Sequence, residues 1–191
     1  MIRSIAIAGL LLATTALSAA TYKVDTGHSA LIWGIQHLGL GNTYGVFKDF
    51  TGSITFDRAN LAASSVNLTV QIASVDSNDK KRDDHLRNAD FFDAGTFPEM
   101  TFVATGFTPV ADNDKAWTVN GELTIRGVTK PVETTVHLIG EGTHPMAQKP
   151  AIGFETEFTI DRTAFGVGQG KVSGYVGKDV RVIVAMEAIA E

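Results

Sequence analysis

From Thr21 onward, apolar side chains return at every second position in one run after another. That period belongs to half-buried β-strands, whose side chains alternate between two faces. Tyr22 to Asp25 reads as a short opener, and Leu31, Trp33 and Ile35 then share one parity. The stretch from Gly45 to Asp57 carries Phe47, Phe50, Ile54 and Phe56, and Gly52 within it predicts a bulge or bend. Between Ser65 and Val75, Val66, Leu68, Val70 and Ile72 face one way while Asn67, Thr69 and Gln71 face the other. Met100 with Phe102, the run Trp117 to Ile125, and Val132 to Leu138 mark later strands. Ile152 to Ile160 and the Val180-Val182-Val184-Met186 series complete the set. About eight such segments, parted by turn residues, predict one all-β antiparallel domain over residues 21–191.

Only Lys81 to Phe102 departs from that period. Ser77, Asn78 or Asp79 can cap a short helix over about residues 79–90. Leu86 and Ala89, three apart, share one face of it. Gly95 supplies a left-handed exit ahead of Pro98, and the Phe91-Phe92 pair makes an aromatic plug. One helix in an all-β chain predicts a lid or stopper on a barrel or sandwich.

The first twenty residues have another pattern. Arg3 precedes an apolar run from Ile5 to Leu17, and Ser18-Ala19-Ala20 sets small residues before a cut at Thr21. This is the form of a secretory signal peptide, too short for a comfortable membrane span, and it predicts export. The chain has no Cys, which excludes disulfides, thiol chemistry and Cys-ligated metal. Without Arg3 there remain 15 basic and 21 acidic residues, a formal charge of −6 with no basic stripe. Nucleic acid is therefore an unsuitable partner. Eleven of the 16 aromatic residues are Phe, suited to an apolar interior with few polar handles.

Motifs for catalysis are absent from the sequence. His28, His37, His85, His137 and His144 form no HxH or HExxH spacing, and there is no GxSxG elbow or GK[ST] loop ending. No catalytic residue, resident cofactor or metal is expected.

Ten pieces in order then resemble one family. They are His28-Ser29, His37-Leu38, Gly45-x-Phe47, Arg82-Asp83-x-His85-Leu86 and Asp90-Phe91-Phe92-Asp93, then Pro98 with Phe102. Gly121-x-Leu-Thr-Ile-x-Gly127-Val-Thr-Lys-Pro131, Gly153-Phe154, Arg162 and Phe165-Gly166 follow. The chain resembles the YceI-like family of polyisoprenoid-binding, lipocalin-like periplasmic proteins. That resemblance implies an extended eight-stranded antiparallel barrel whose apolar tunnel holds an isoprenoid, quinone-type or other long-chain tail. The lining would include Leu31, Trp33, Ile35, Phe47, Phe56, Phe91, Phe92, Phe102, Phe154, Phe158 and Phe165. His37, Arg82, His85 and Arg162 are candidates for head-group contacts, against a structural role at a helix start or turn. A lipid carrier also implies transient contact with the inner membrane or a membrane protein; the oligomeric state stays open. Two other classes stand beside it. One is an enzyme or electron-transfer accessory acting on a quinone or isoprenoid. The other is a stress-related interaction protein whose barrel is filled by its own side chains.

Overall fold

A computed structural model describes residues 20–170 and 174–191; the predicted leader lies outside these residues, save Ala20. The Gly166 to Gly177 loop is described except for residues 171–173.

All strand pairings are antiparallel. The segments are β1 (Ala20–Val24), β2 (Ala30–His37), β3 (Gly41–Phe47), β4 (Phe50–Phe56), β5 (Ser65–Gln71) and β6 (Val75–Asp76). After α1 (Lys80–Arg87) come β7 (Glu99–Val110), β8 (Asn113–Ile125), β9 (Val128–Thr143), β10 (Pro150–Asp161) and β11 (Val176–Ala190). Pairing runs β1-β4-β5-β7-β8-β9-β10-β11 and returns from β11 to β1, which closes an eight-stranded barrel. β2, β3 and β6 extend three of those eight staves: β2 continues β1 along β11, β3 leads into β4, and β6 prolongs β5.

The breaks in these three staves lie side by side. At the first, Asp25 N–H donates to Glu187 O at 2.8 Å, and the Ser29 hydroxyl donates to Asp25 O at 2.7 Å. At the second, Lys48 N–H donates to Ser74 O and Gln71 N–H to Asp49 O. The third is a 3-10 turn at Ile72–Ser74. The wall bends here, with backbone groups satisfied by turns and hydroxyls in place of ladder bonds. The bend predicted at Gly52 does not occur: β4 pairs without a register shift through Gly52, and the break falls at Lys48-Asp49. Gly52 instead leaves room for the Leu68 side chain directly across the ladder.

α1 is shorter than the predicted 79–90. The Asp79 carboxylate accepts from Arg82 N–H at 2.9 Å and caps the first turn, and Asn88 ends the helix. Ala89 thus falls outside the helix and is exposed. The left-handed residue of the exit is Asp93 (φ 52°), not Gly95. The β8–β9 hairpin turns on Arg126 and Gly127, both left-handed at φ 51° and 71°, as a two-residue hairpin requires.

Candidate functional site

Inward-facing residues of the strands do not meet at the barrel axis. They surround a cavity of about 240 Å³. A dry apolar cavity of about 150 Å³ is already enough to take benzene. The lining draws on both halves of the barrel and on the segment after β6. Leu31, Trp33, Ile35, Phe47 and Phe56 come from the first four strands, with Phe102, Phe154 and Phe158 from β7 and β10. Leu86 of α1 and the Phe91-Phe92 pair close part of the wall. Phe92 meets Phe47 edge to face at 5.7 Å, while Phe56 holds Trp117 and Phe154 in the same way at 4.8 and 5.4 Å. Alternate parity put these rings on one face, and barrel closure brought the faces together.

Phe165 is the exception among the predicted lining residues. It is buried beside Phe91, Ile125 and Val167 in a separate cluster at the α1 end, and it does not line the cavity. It is the last residue of the 3-10 turn Arg162–Phe165, so strand parity says nothing about the way it faces.

No polar atom contributes surface to the cavity. The two buried threonines show how this is achieved. Thr156 Oγ1 donates to Thr135 O at 2.8 Å, so the 2.5 Å bond between the hydroxyls uses the Thr134 proton. Both hydroxyl protons are thereby consumed within the wall.

The four predicted head-group residues are not brought together. Arg162 lines the cavity and is buried, but its guanidinium faces backbone. Nε donates to Gly177 O, Nη1 to Val167 O and Gly168 O, and Nη2 to Val176 O, at 2.6 to 2.9 Å. It knots the β10–β11 connection. Arg82 is exposed and donates to Ser77 Oγ and Ser77 O, while His85 pairs with Asp90 at 3.0 Å and packs edge-on against Phe91. His37 lies exposed at the end of β2.

Arg126 was not singled out by the sequence. Its Nη1 donates to Ala89 O, Phe91 O and Gly166 O at 3.2, 2.7 and 3.0 Å, tying the loop after α1 to the β10–β11 connection. Its place in Gly121-x-Leu-Thr-Ile-x-Gly127 was the only trace, and there it was the unspecified residue.

A second cluster joins residues far apart in sequence. Donor atoms of Asp25, His144 and Glu187 lie within 4.8 Å of one another, and His28 Nδ1 sits 2.8 Å from Asp25. His144 Nδ1 accepts from Met146 and Ala147 N–H, so the neutral ring carries its proton on Nε2, 3.8 Å from Glu187. That tautomer offers the carboxylates a donor where a metal would need a lone pair. The cluster is a polar clasp between the β1–β2 break, the β9–β10 hairpin and β11. The bonded imidazole of His28 holds the Asp25 carboxyl below its ordinary range, and Asp25 in turn raises His28.

Comparison with known proteins places this architecture. A family model described as a YceI-like domain matches residues 22–188. Protein YceI of Shigella sonnei (strain Ss046) is 39% identical over 186 residues, covering 96% of this chain and 94% of that protein. The structure of Burkholderia cenocepacia BcnA is similar at a TM-score of 0.78 and 30% identity, covering 86% of this chain and 99% of that one. A polyisoprenoid binding domain from Saccharophagus degradans, 14% identical, shares the fold at a TM-score of 0.69 over 91% of this chain and all of its own. The chain belongs to the YceI-like family.

Proposed function

We propose that this member of the YceI-like family is a periplasmic carrier that holds the tail of an isoprenoid-type or other long-chain amphiphile inside its barrel. The observation that carries the reading is the cavity itself: closed by eight strands, walled by apolar side chains and empty of polar surface. Each methylene moved from water into such a space gains about 0.8 kcal/mol, so a long tail needs little polar recognition. Binding to a polyisoprenoid in a domain of the same fold supports the choice of ligand class. Glu155, Arg162 and three threonines lie along the lining, but no polar atom of theirs contributes surface to the cavity, which favours binding over catalysis. A retained cavity also argues against the side-chain-filled barrel.

Loading and release require part of the wall to move and bring the carrier against a membrane or membrane protein. The test is native mass spectrometry of the mature protein isolated from periplasm, with solvent extraction of whatever it carries. A stoichiometric polyprenyl or quinone species is the expected result. An empty protein that also refuses added polyprenols overturns the reading.

A further inference from the structure

The hairpin joining β2 to β3 ends in a tip that water alone does not explain. Leu40 N–H donates to His37 O at 3.0 Å, and the two residues between them, Leu38 and Gly39, are left-handed at φ 53° and 69°. Asn-Gly is the pair that suits such a turn, because a bulky apolar side chain is strained there and makes no local hydrogen bond. Here the strained residue is a leucine, 50% exposed, and Leu40 after it is 87% exposed. Tyr175, 60% exposed, stands beside them, and its carbonyl accepts from Leu38 N–H at 2.9 Å. Every residue from Gln36 to Asn42 is exposed, and a Cβ at Gly39 or Gly41 would meet nothing within 4 Å, so the tip stands clear of the barrel. Charge is missing as well. The chain has no Asp, Glu, Lys or Arg from Ser29 to Phe47 and no Asp or Glu from Arg162 to Gly177, against 19% charged residues overall. Strain, exposure and absent charge coincide at one place, and none of them helps the isolated domain.

We propose that Leu38, Leu40 and Tyr175 form the face by which the protein docks end-on to a lipid bilayer. The two leucines enter the acyl region, and the tyrosine lies at headgroup level, where its apolar ring and polar tip both find partners. A bilayer suits this tip better than a protein does. A stable protein interface takes about 800 Å² of matched surface from each partner, which three side chains on a convex turn do not supply. Fluid lipid closes around a protrusion without such matching. The chain is acidic overall, so apolar insertion and not attraction to anionic headgroups holds the contact, and the missing carboxylates keep the tip itself from being repelled. The tip also adjoins the cavity. Ile35 and Val176 line it, and His37, next to Leu38, pairs with Val176, next to Tyr175. Val176 packs in turn on the Phe91, Phe165 and Val167 cluster, so the docking face and α1 share one end of the barrel. This inference rests on the carrier reading and names the surface that meets the membrane.

The chain has no Cys, so one introduced thiol carries an environment-sensitive fluorophore at a single place. Leu40→Cys reports on the tip. Met146→Cys, at an 83% exposed position on the β9–β10 hairpin at the other end of the barrel, is the reference. With vesicles of phosphatidylethanolamine and phosphatidylglycerol, the label at 40 is expected to shift to the blue while the label at 146 stays in water. Leu38→Asn combined with Leu40→Asn should lower partitioning onto the vesicles about tenfold or more. Its thermal midpoint should hold or rise, because asparagine tolerates the left-handed turn, so a loss of binding is not a loss of fold. Uptake of geranylgeraniol from solution is measured on the same proteins. A wild-type chain that takes up geranylgeraniol but ignores the vesicles, or binds them with the label at 40 unmoved, overturns the docking face and leaves the carrier reading standing. Binding to inner-membrane vesicles with their proteins but not to the lipids alone assigns the tip to a protein partner and overturns it too. Insertion of the tip by a chain that refuses geranylgeraniol upholds the face and sinks the carrier reading instead.

Discussion

The two halves of the barrel share one alternation of side chains and differ in continuity. β7 to β11 run unbroken for 12 to 16 residues each, and β10 pairs with β11 through eleven consecutive rungs. β1 to β6 make up three staves, each interrupted at the same height. In the continuous half the ladder satisfies most of the backbone, with Thr156 and Arg162 bonding the carbonyls of Thr135, Val176 and Gly177. In the interrupted half, Ser29, Ser74 and Asp25 take over bonds that a ladder would have made. The interruption is where α1 enters the wall, presenting Leu86 and the Phe91-Phe92 pair to the cavity. On the proposed carrier reading, an element that moved to admit a ligand would be hosted where few ladder bonds oppose it, and the other half would supply a fixed surface. Passage into the cavity should therefore run through the α1 side.

The largest predicted effect breaks the continuous half. Arg162→Ala strands four buried or half-buried carbonyls in the β10–β11 connection and should cost about 3 kcal/mol or more, read as a lowered midpoint in urea with m unchanged. A loss under about 1 kcal/mol would mean that this half does not depend on its arginine knot. Next comes the anchor of α1. Asp83 is buried and accepts from Ser77 N–H and Ser77 Oγ at 2.8 and 2.5 Å, so Asp83→Ala should cost about 2 kcal/mol. Hydrogen exchange should accelerate at residues 77–97 and leave β8 to β11 unaltered. Exchange rising equally in β10 would erase the distinction between the halves. Arg126→Ala removes the tie between them and is expected to cost about 1 kcal/mol. Its sharper signature is kinetic: faster uptake and release of a fluorescent long-chain probe at little changed affinity. Unaltered exchange kinetics would show that the α1 side is not the route.

Much of this contrast was legible in the chain and part of it was not. Period two put Leu31, Trp33, Phe47, Val66, Leu68 and Phe154 on inward faces because parity is a local property. A cap among Ser77, Asn78 and Asp79 was legible for the same reason, since a side-chain oxygen just ahead of free N–H groups is enough, but the choice of Asp79 came only with the structure. Lys48-Asp49 looks no more like a break than Gly52 does. It becomes one because the adjoining staves turn at the same height, and adjacency is not written in local pattern. Arg126 and Arg162 both reach carbonyls on other loops, so their roles depend on closure of the barrel. The Asp25, His144 and Glu187 clasp spans 162 residues of sequence and answers to no spacing rule. Burial alone could not separate Phe165 from the lining, because its face is set by a turn and not by a strand.

The smallest predicted effect concerns that clasp, which sits at the first break and joins the two halves through Glu187 of β11. The His28 to Asp25 bond is exposed, so its contribution is slight and screened by salt. Its pH dependence still has a definite sign. Asp25 is held below its ordinary value of 3.8 chiefly by His28, so its share of stability is present above that value and fades as pH falls through the lowered one. His28 is raised above 6.5 chiefly by Asp25, so its share is complete below 6.5 and fades as pH climbs through the raised value. The pair is therefore fully formed between about pH 4 and 6.5, spanning the two ordinary values. His28→Gln should flatten the thermal midpoint across pH 6 to 8 by removing the decline that His28 imposes there. An equal slope in both proteins would assign that decline to other groups and leave the break held by Ser29 and the backbone alone.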